Sequence, residues 1–432
     1  MIEVLPSVIE GSLHAPPSKS YSHRALAISL LCEQRSEIER VSSARDVLAT
    51  LNAISMMGAE LELEESSSVL RASVDPPERP EAPDDVIDCR GSGTTIRFFA
   101  AISTLTKDGY TVLTGNESLR RRPMGPIIEA ISRLGGHAIS TRMNGLPPLV
   151  VRGGGLRGGY VELDGSISSQ FFSGLMIAST RFHEGIRLKP LGELVSKPYV
   201  EMTKEVLTRS GAKVELGEEM RVDPVRPRKL EFIVPGDFGL VAPLMVMASI
   251  TGGRIRVEGL SKSFPQADSL ILELLREFGV YVREGDDYVL VEGRPRRNVK
   301  VNLKDAPDLL PVACVLAASV DSTSEVRGVA HARVKESDRV RNMALELSKM
   351  GVWVQELEDG LLVRGGRLRG GVRLDPHGDH RIFMALVALA AAADRSCVIE
   401  DEDCVRDSYP NFLEDSIRVG LRCINSSSSA HS

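Results

Sequence analysis

Hydrophobic and polar positions along this chain fall into two textures that alternate. One is a run with helical spacing that stops just before a glycine; the other follows at once and alternates in strand fashion. The junction occurs six times, as Met57-Gly58-Ala59, Leu134-Gly135-Gly136, Ser210-Gly211-Ala212, Phe278-Gly279-Val280, Met350-Gly351-Val352 and Val419-Gly420-Leu421. Successive glycines lie 77, 76, 68, 72 and 69 residues apart, a period near 70. Glycine just past a helical run is the expected C′ residue, in the left-handed conformation. Six such units make two domains of three, and each is large enough to be a small α/β layer. The period exceeds that of common solenoids.

A second feature recurs in each unit: a strand, a short polar loop, then a helix start. It falls at 16–24, 88–97, 164–173, 235–241, 304–309 and 375–381. Helix N-termini carry unpaired N–H groups and partial positive charge, which suit anions. A repeat fold that gathered several of them would build an anion pocket without a large net charge.

Composition narrows the class. A chain of 432 residues suits two domains of about 200 each. Hydrophobic residues at 42% and charged residues at 26% are those of a soluble globular protein. No apolar run reaches the roughly 18 residues of a membrane span, and the start, Met-Ile-Glu-Val-Leu-Pro, does not read as a signal peptide. The cysteines at 32, 89, 314, 397, 404 and 423 form no Cys-x-x-Cys pair and cluster with no histidine, which argues against zinc and against a disulfide framework. A reduced cytoplasm fits best. A net charge of −6 argues against nucleic acid as the main partner. The serine-rich tail from 425 to 432 is expected to be disordered.

The loops carry the candidate chemistry. Residues 333–339 read Arg-Val-Lys-Glu-Ser-Asp-Arg, five charged side chains in seven, ahead of an apolar run from Met343. If they open a helix, Lys335, Glu336 and Arg339 share one face, and an anion between Lys335 and Arg339 would relieve their repulsion. A solvated helix end is the other reading. Ser18 is a candidate cap for a helix that places Lys19, Ser20, His23 and Arg24 on one polar face, suited to phosphate or carboxylate. The glycines of 91–97 allow close backbone approach to a ligand or simply make a turn, and the segment is neither a dinucleotide fingerprint nor a P-loop. Arg122, fixed before Pro123, could be aimed at a carboxylate, or the triplet 120–122 could be surface. Ser168-Ser169-Gln170 caps the apolar run 171–178, and 196–199 and 378–381 are short polar insertions. Asp308, after Pro307, is either a helix-capping carboxylate or a general base.

Taken together, these segments resemble the 5-enolpyruvylshikimate-3-phosphate synthase family over essentially the whole chain. The resemblance rests on Ser18-Lys19-Ser20 with Arg24, on 91–97, Arg122-Pro123, Ser168-Ser169-Gln170, Ser196-Lys197-Pro198-Tyr199, 333–339 and Asp379-His380-Arg381. It implies an α/β fold of two similar domains, each of three βαβαββ units (an inside-out α/β barrel), with the active site in the interdomain cleft. Residues 1–17 and 235–432 would form domain I and 18–234 domain II. The implied reaction moves enolpyruvate from phosphoenolpyruvate to the 5-hydroxyl of shikimate 3-phosphate, with no metal or organic cofactor and a monomeric enzyme.

By the same resemblance, Lys19, Ser20, Arg24, Ser168, Ser169, Gln170, Ser196 and Lys335 are expected to contact shikimate 3-phosphate. Lys19, Gly93, Arg122, Gln170, Arg339 and Arg381 are expected to contact phosphoenolpyruvate. Asp308 is the implied base for the attacking hydroxyl, and Glu336, assisted by Lys19, the group that gives and recovers a proton at the methylene carbon. Three positions depart from the family: Asp407 stands where lysine is usual, His331 where asparagine is common, and Asp237-Phe238-Gly239 replaces a serine-containing loop. Two rivals remain at this stage. A sister enzyme acting on UDP-N-acetylglucosamine is disfavoured because 104–122 contains no cysteine, and an inactive anion-binding paralogue is made conceivable by Asp407.

Overall fold

The computed structural model describes residues 1–66 and 69–425. The chain divides into two compact units: a continuous one, Pro17–Pro235, and a split one, in which Met1–Pro16 joins the chain from Gly236 onward. Among the described residues there are six four-stranded sheets, and all six share one pattern. In the sheet of Lys300–Asn302, Thr323–Arg327, Trp353–Leu357 and Gly360–Arg364, the first two strands pair in parallel. The hairpin of the last two then adds antiparallel through Gly360–Arg364. Helices Leu310–Ala318 and Arg339–Lys349 make the two connections, giving βαβαββ.

Three sheets are completed by strands from far away in sequence. Glu10–His14 pairs in parallel with Arg254–Glu258, and Glu231–Ile233 with Ser36–Ser42. Ile2–Leu5 is the inner strand of the sheet that holds Cys397–Ile399 and Arg422–Asn425. The N-terminal strands therefore belong with the C-terminal half. Asn425, the first residue of the tail expected to be disordered, instead pairs with Ile2; the rest of that tail lies outside the described residues.

The two helices of a unit differ because their sequences do. Arg339–Lys349 buries one stripe, Val340, Met343 and Leu347 among it. Its counterpart Gly125–Arg133 buries Ile127, Ala130 and Ile131, the spacing of a helix with one face on the core. Phe238–Thr251 and His380–Ala391 are buried at every position. Continuous apolarity of this kind leaves no face for water, so these helices lie inside and the sheets outside, the reverse of the usual layering. The six repeat glycines sit directly after the one-faced helices, all with φ between +81° and +109°. They are the C′ residues that the spacing predicts.

The inner helices pack closely. Gly174 of Gln170–Ser179 faces the backbone of Gly93–Ile102, and a β-carbon there would come 2.7 Å from the Arg97 carbonyl oxygen. At the far ends of the inner helices, arginines satisfy the last carbonyls. Arg226 donates to Leu31 O and Cys32 O, and Arg294 to Ile250 O and Thr251 O. Replacing Gly174 with Ala forces the two helices apart. We expect it to cost about 1–3 kcal/mol of stability, read as a lowered midpoint in thermal unfolding.

Candidate active site

Within each unit the first turns of the three inner helices meet, and the sequence-predicted residues gather there. In the continuous unit the helices are Lys19–Ser29, Gly93–Ile102 and Gln170–Ser179. Ser18 caps the first, accepting from Tyr21 N, and Ser92 caps the second, accepting from Thr95 N. Ser169 makes no side-chain cap; Ser168 Oγ instead accepts from Gln170 N at 3.3 Å. Gln170 links two starts, its Nε2 donating to Thr94 Oγ1 at 2.9 Å while its Oε1 accepts from Arg97 Nη1 at 2.6 Å. Lys19 Nζ pairs with Asp46 at 2.9 Å. Around Gly93 two guanidiniums crowd in: a β-carbon there would lie 2.9 Å from Arg122 Nη1 and 3.0 Å from Arg97 Nη1. Arg122 holds the extended conformation that its following proline favours, and it is buried.

The polar face expected on Lys19–Ser29 is not on the surface. His23 is fully buried against Thr50. Burial, with Lys19 and Arg24 nearby, holds its imidazole well below the ordinary range and so neutral. Arg24 is 1% exposed and donates to Thr203 Oγ1, Ser20 O, Ser173 Oγ and Tyr199 O. Burial lowers it to about 10, which leaves it cationic at neutral pH. It braces the loop of Ser196, itself buried at φ +56°.

The split unit gathers Phe238–Thr251, Leu310–Ala318 and His380–Ala391. Residues 333–339 do not open a helix. A 3-10 turn, Ala330–Val334, runs into a bend, and the helix begins at Arg339 with Asp338 as its cap. The shared helical face is therefore wrong, yet the grouping is right, because ion pairs do what helical spacing was expected to do. Arg339, 1% exposed, reaches Asp308 at 2.6 Å, Glu336 at 2.7 Å and Asp379 at 2.8 Å. Lys335 Nζ lies 3.7 Å from the same Asp308 oxygen, so a protein carboxylate occupies the place between the two cations. Arg381 Nη1 donates to Gly239 O at 2.6 Å, and its Nη2 is 3.5 Å from Asp308.

Burial would raise the Asp308 carboxyl, but Lys335, Arg381 and Arg339 together hold it well below the usual carboxylate range. Burial opposes the charge on Arg339 too, but Asp379, Glu336 and Asp308 outweigh it. His331 is buried nearby, and desolvation with Lys335 pushes its imidazole down to about 4. Arg406, the cation next to Asp407 in the chain, is exposed and 3.7 Å from Asp403.

Sequence reasoning missed three members of these clusters. Arg97 lay inside a recognised segment, and its spacing from the Ser92 cap was the available signal. Asp46 and Asp379 pair with Lys19 and Arg339 across gaps of 27 and 40 residues, which leave no local trace.

Two polar clusters at converging helix starts, one rich in cations and one in which cations and carboxylates interlock, suit the joining of anionic molecules with proton transfer. The family model for EPSP synthase (3-phosphoshikimate 1-carboxyvinyltransferase) matches residues 5–415. The chain belongs to the EPSP synthase family. Its relatives in that family include the 3-phosphoshikimate 1-carboxyvinyltransferase of Korarchaeum cryptofilum, 67% identical over 98% of this chain and 99% of the relative. That of Methanothermobacter thermautotrophicus is 41% identical over 96% and 97% of the two chains. The solved EPSP synthase of Acinetobacter baumannii superposes with a TM-score of 0.80 at 25% identity, covering 98% of this chain and 99% of that one.

Removing the shared cation isolates the carboxylates around it. Arg339→Met should cost about 3–5 kcal/mol near pH 7.5. Carboxylates deprived of Arg339 bind protons more readily in the folded state, so the deficit should narrow as pH falls toward about 5. Urea unfolding of both proteins at the two pH values checks this.

Proposed function

We propose that this protein transfers the enolpyruvyl group of phosphoenolpyruvate to the 5-hydroxyl of shikimate 3-phosphate and releases phosphate. It would thereby act in the shikimate pathway to chorismate and the aromatic amino acids. The reading rests on family membership over nearly the whole chain and on one observation above all, the Asp308–Arg339–Glu336 bridge around buried Arg339. It supplies two carboxylates held apart by one guanidinium, which is what an addition with two separate proton transfers needs.

In the addition, Glu336 gives a proton to the methylene carbon of phosphoenolpyruvate, with Lys19 assisting. The 5-hydroxyl oxygen bonds to the neighbouring carbon while Asp308 takes the hydroxyl proton. In the elimination, Glu336 recovers a proton from the new methyl group, the double bond re-forms, the C–O bond to phosphate breaks, and Asp308 passes its proton to the departing phosphate. Atoms and charge balance without a metal or redox partner.

Ionised Asp308 is a weak base while three cations surround it. Anionic substrates binding to Lys335, Arg339 and Arg381 would draw those cations away and raise its proton affinity at the moment it is needed. Lys19, Ser20, Ser168, Ser169, Gln170, Ser196 and Lys335 are the proposed shikimate 3-phosphate contacts. Arg24 serves them from behind, as the brace of the Ser196 loop. Lys19, Gly93, Arg122, Gln170, Arg339 and Arg381 are the proposed contacts for phosphoenolpyruvate. Among the described residues no helix is long and apolar enough to cross a membrane, and a monomer in the cytoplasm fits this role.

The deciding assay is phosphate release from phosphoenolpyruvate with shikimate 3-phosphate, run beside phosphoenolpyruvate with UDP-N-acetylglucosamine. Release is expected only with the shikimate compound; release only with the sugar nucleotide would refute the reading. Asp308→Ala should lower kcat by about 10²–10⁴ while KM stays within about threefold. Near-normal turnover would remove Asp308 from the mechanism. Asp407→Lys should lower the KM for phosphoenolpyruvate about three- to tenfold, if that half-buried position senses the substrate's charge. An unchanged KM in steady-state kinetics would place residue 407 outside its reach.

A further inference from the structure

One acidic side chain of the split unit stands outside the roles above. Asp268 lies in the 3-10 turn Ala267–Leu270 and is 5% exposed. Its Oδ1 has no hydrogen-bond partner among the described residues. Leaving a buried carboxylate oxygen without a donor is costly, and such groups are commonly kept for function. The Asp268 Oδ2 lies 3.7 Å from Arg381 Nη2, at ion-pair distance but beyond a hydrogen bond.

The surroundings keep that carboxylate in place. Gln266 takes the Phe238 N–H at 3.2 Å and donates to Gly236 O at 2.8 Å, tying the turn to the start of Phe238–Thr251. A β-carbon on Gly239 would lie 2.0 Å from Asp268 Oδ2 and 2.8 Å from Arg381 Nη1. Glycine at 239 therefore makes room for both groups, which gives a physical reason for the departure from the serine-containing loop. Arg381 is thus flanked by two carboxylates, Asp308 at 3.5 Å and Asp268 at 3.7 Å, with the Gly239 carbonyl holding its third side.

We propose that Asp268 is a positioning residue that holds the Arg381 guanidinium off Asp308 and presents it to the carboxylate of phosphoenolpyruvate. The proposal rests on the reaction assigned above, in which Arg381 is a phosphoenolpyruvate contact. Without Asp268, Arg381 keeps Asp308 at 3.5 Å, and the cation shifts toward it. Two things follow together: the substrate loses its cation, and the base is held more firmly in its ionised form. Burial pushes the Asp268 carboxyl up to about 7, with Arg381 and Lys335 opposing and Asp308 and Asp237 adding to the rise. A carboxylate that ionises so reluctantly gains most from drawing Arg381 toward it.

The test compares the wild type with Asp268→Ala and Asp268→Asn, the second keeping shape and an acceptor oxygen. The KM for phosphoenolpyruvate should rise about tenfold in the alanine variant, the usual size of one lost charge-assisted contact. The KM for shikimate 3-phosphate should stay within about twofold, and the asparagine variant should recover part of the loss. Equal shifts for both substrates, no shift, or an asparagine variant no better than alanine would overturn the proposal. Calorimetric titration with phosphoenolpyruvate in the absence of shikimate 3-phosphate reads the same contact without turnover. A wild type silent in phosphate release would then refute the reaction while the Asp268 comparison stays readable, with a weaker Kd supporting it and an unchanged Kd overturning it.

Discussion

Everything at the two clusters follows from burying three helices side by side with their N-termini together. Each start brings N–H groups and partial positive charge that no neighbouring helix can satisfy. The continuous unit meets that demand with hydroxyls, Ser18, Ser92 and Ser168, and then adds Lys19, Arg97 and Arg122. Cations at positive helix ends oppose the helix dipole, and Asp46 meets one of them, Lys19. The split unit meets the same demand with its own acids: Asp237 and Asp379 cap their helices, and Asp308 stands at the third start. One architecture thus yields a receptor for external anions and a reservoir of internal ones.

The internal anions explain how acid–base groups can be buried without destabilising the fold. Arg339 is shared among three carboxylates and has almost no contact with water. Such a cluster gains little net stability over an apolar core of equal volume, but it fixes where each charge sits. It also couples them, so that neutralising one member shifts the proton affinity of the rest. Under the proposed reaction, loading with substrate and readiness for proton transfer would be the same event.

What could be read from the sequence was what depends on a few adjacent residues. The glycines at 58, 135, 211, 279, 351 and 420 were legible because a positive φ after a helix is a local demand that glycine meets best. The cap at Ser18 was legible for a similar reason. Residues 333–339 were read as the opening of a helix because their charges fit helical spacing. The chain bends there instead, since Arg333 is tied to Asp338 and Glu356 while Arg339 is tied to Asp308 and Asp379. The interior placement of Arg24 was illegible too: its partners at 173, 199 and 203 come from other helices and loops. Family resemblance supplied roles that no local rule could, and it carried no information on Asp268.

The strand Ile2–Leu5 lies between Cys397–Ile399 and Arg422–Asn425. During synthesis that strand leaves the ribosome well before its neighbours, both of which are made roughly four hundred residues later. The continuous unit has all its parts once residue 235 has emerged, and domains generally fold as units as they appear. The opening strands of the split unit must wait, unpaired, through the making of everything between. Ile2–Leu5 is therefore among the last strands to be placed, and the sheet that receives it closes only on a chain translated at least as far as residue 425.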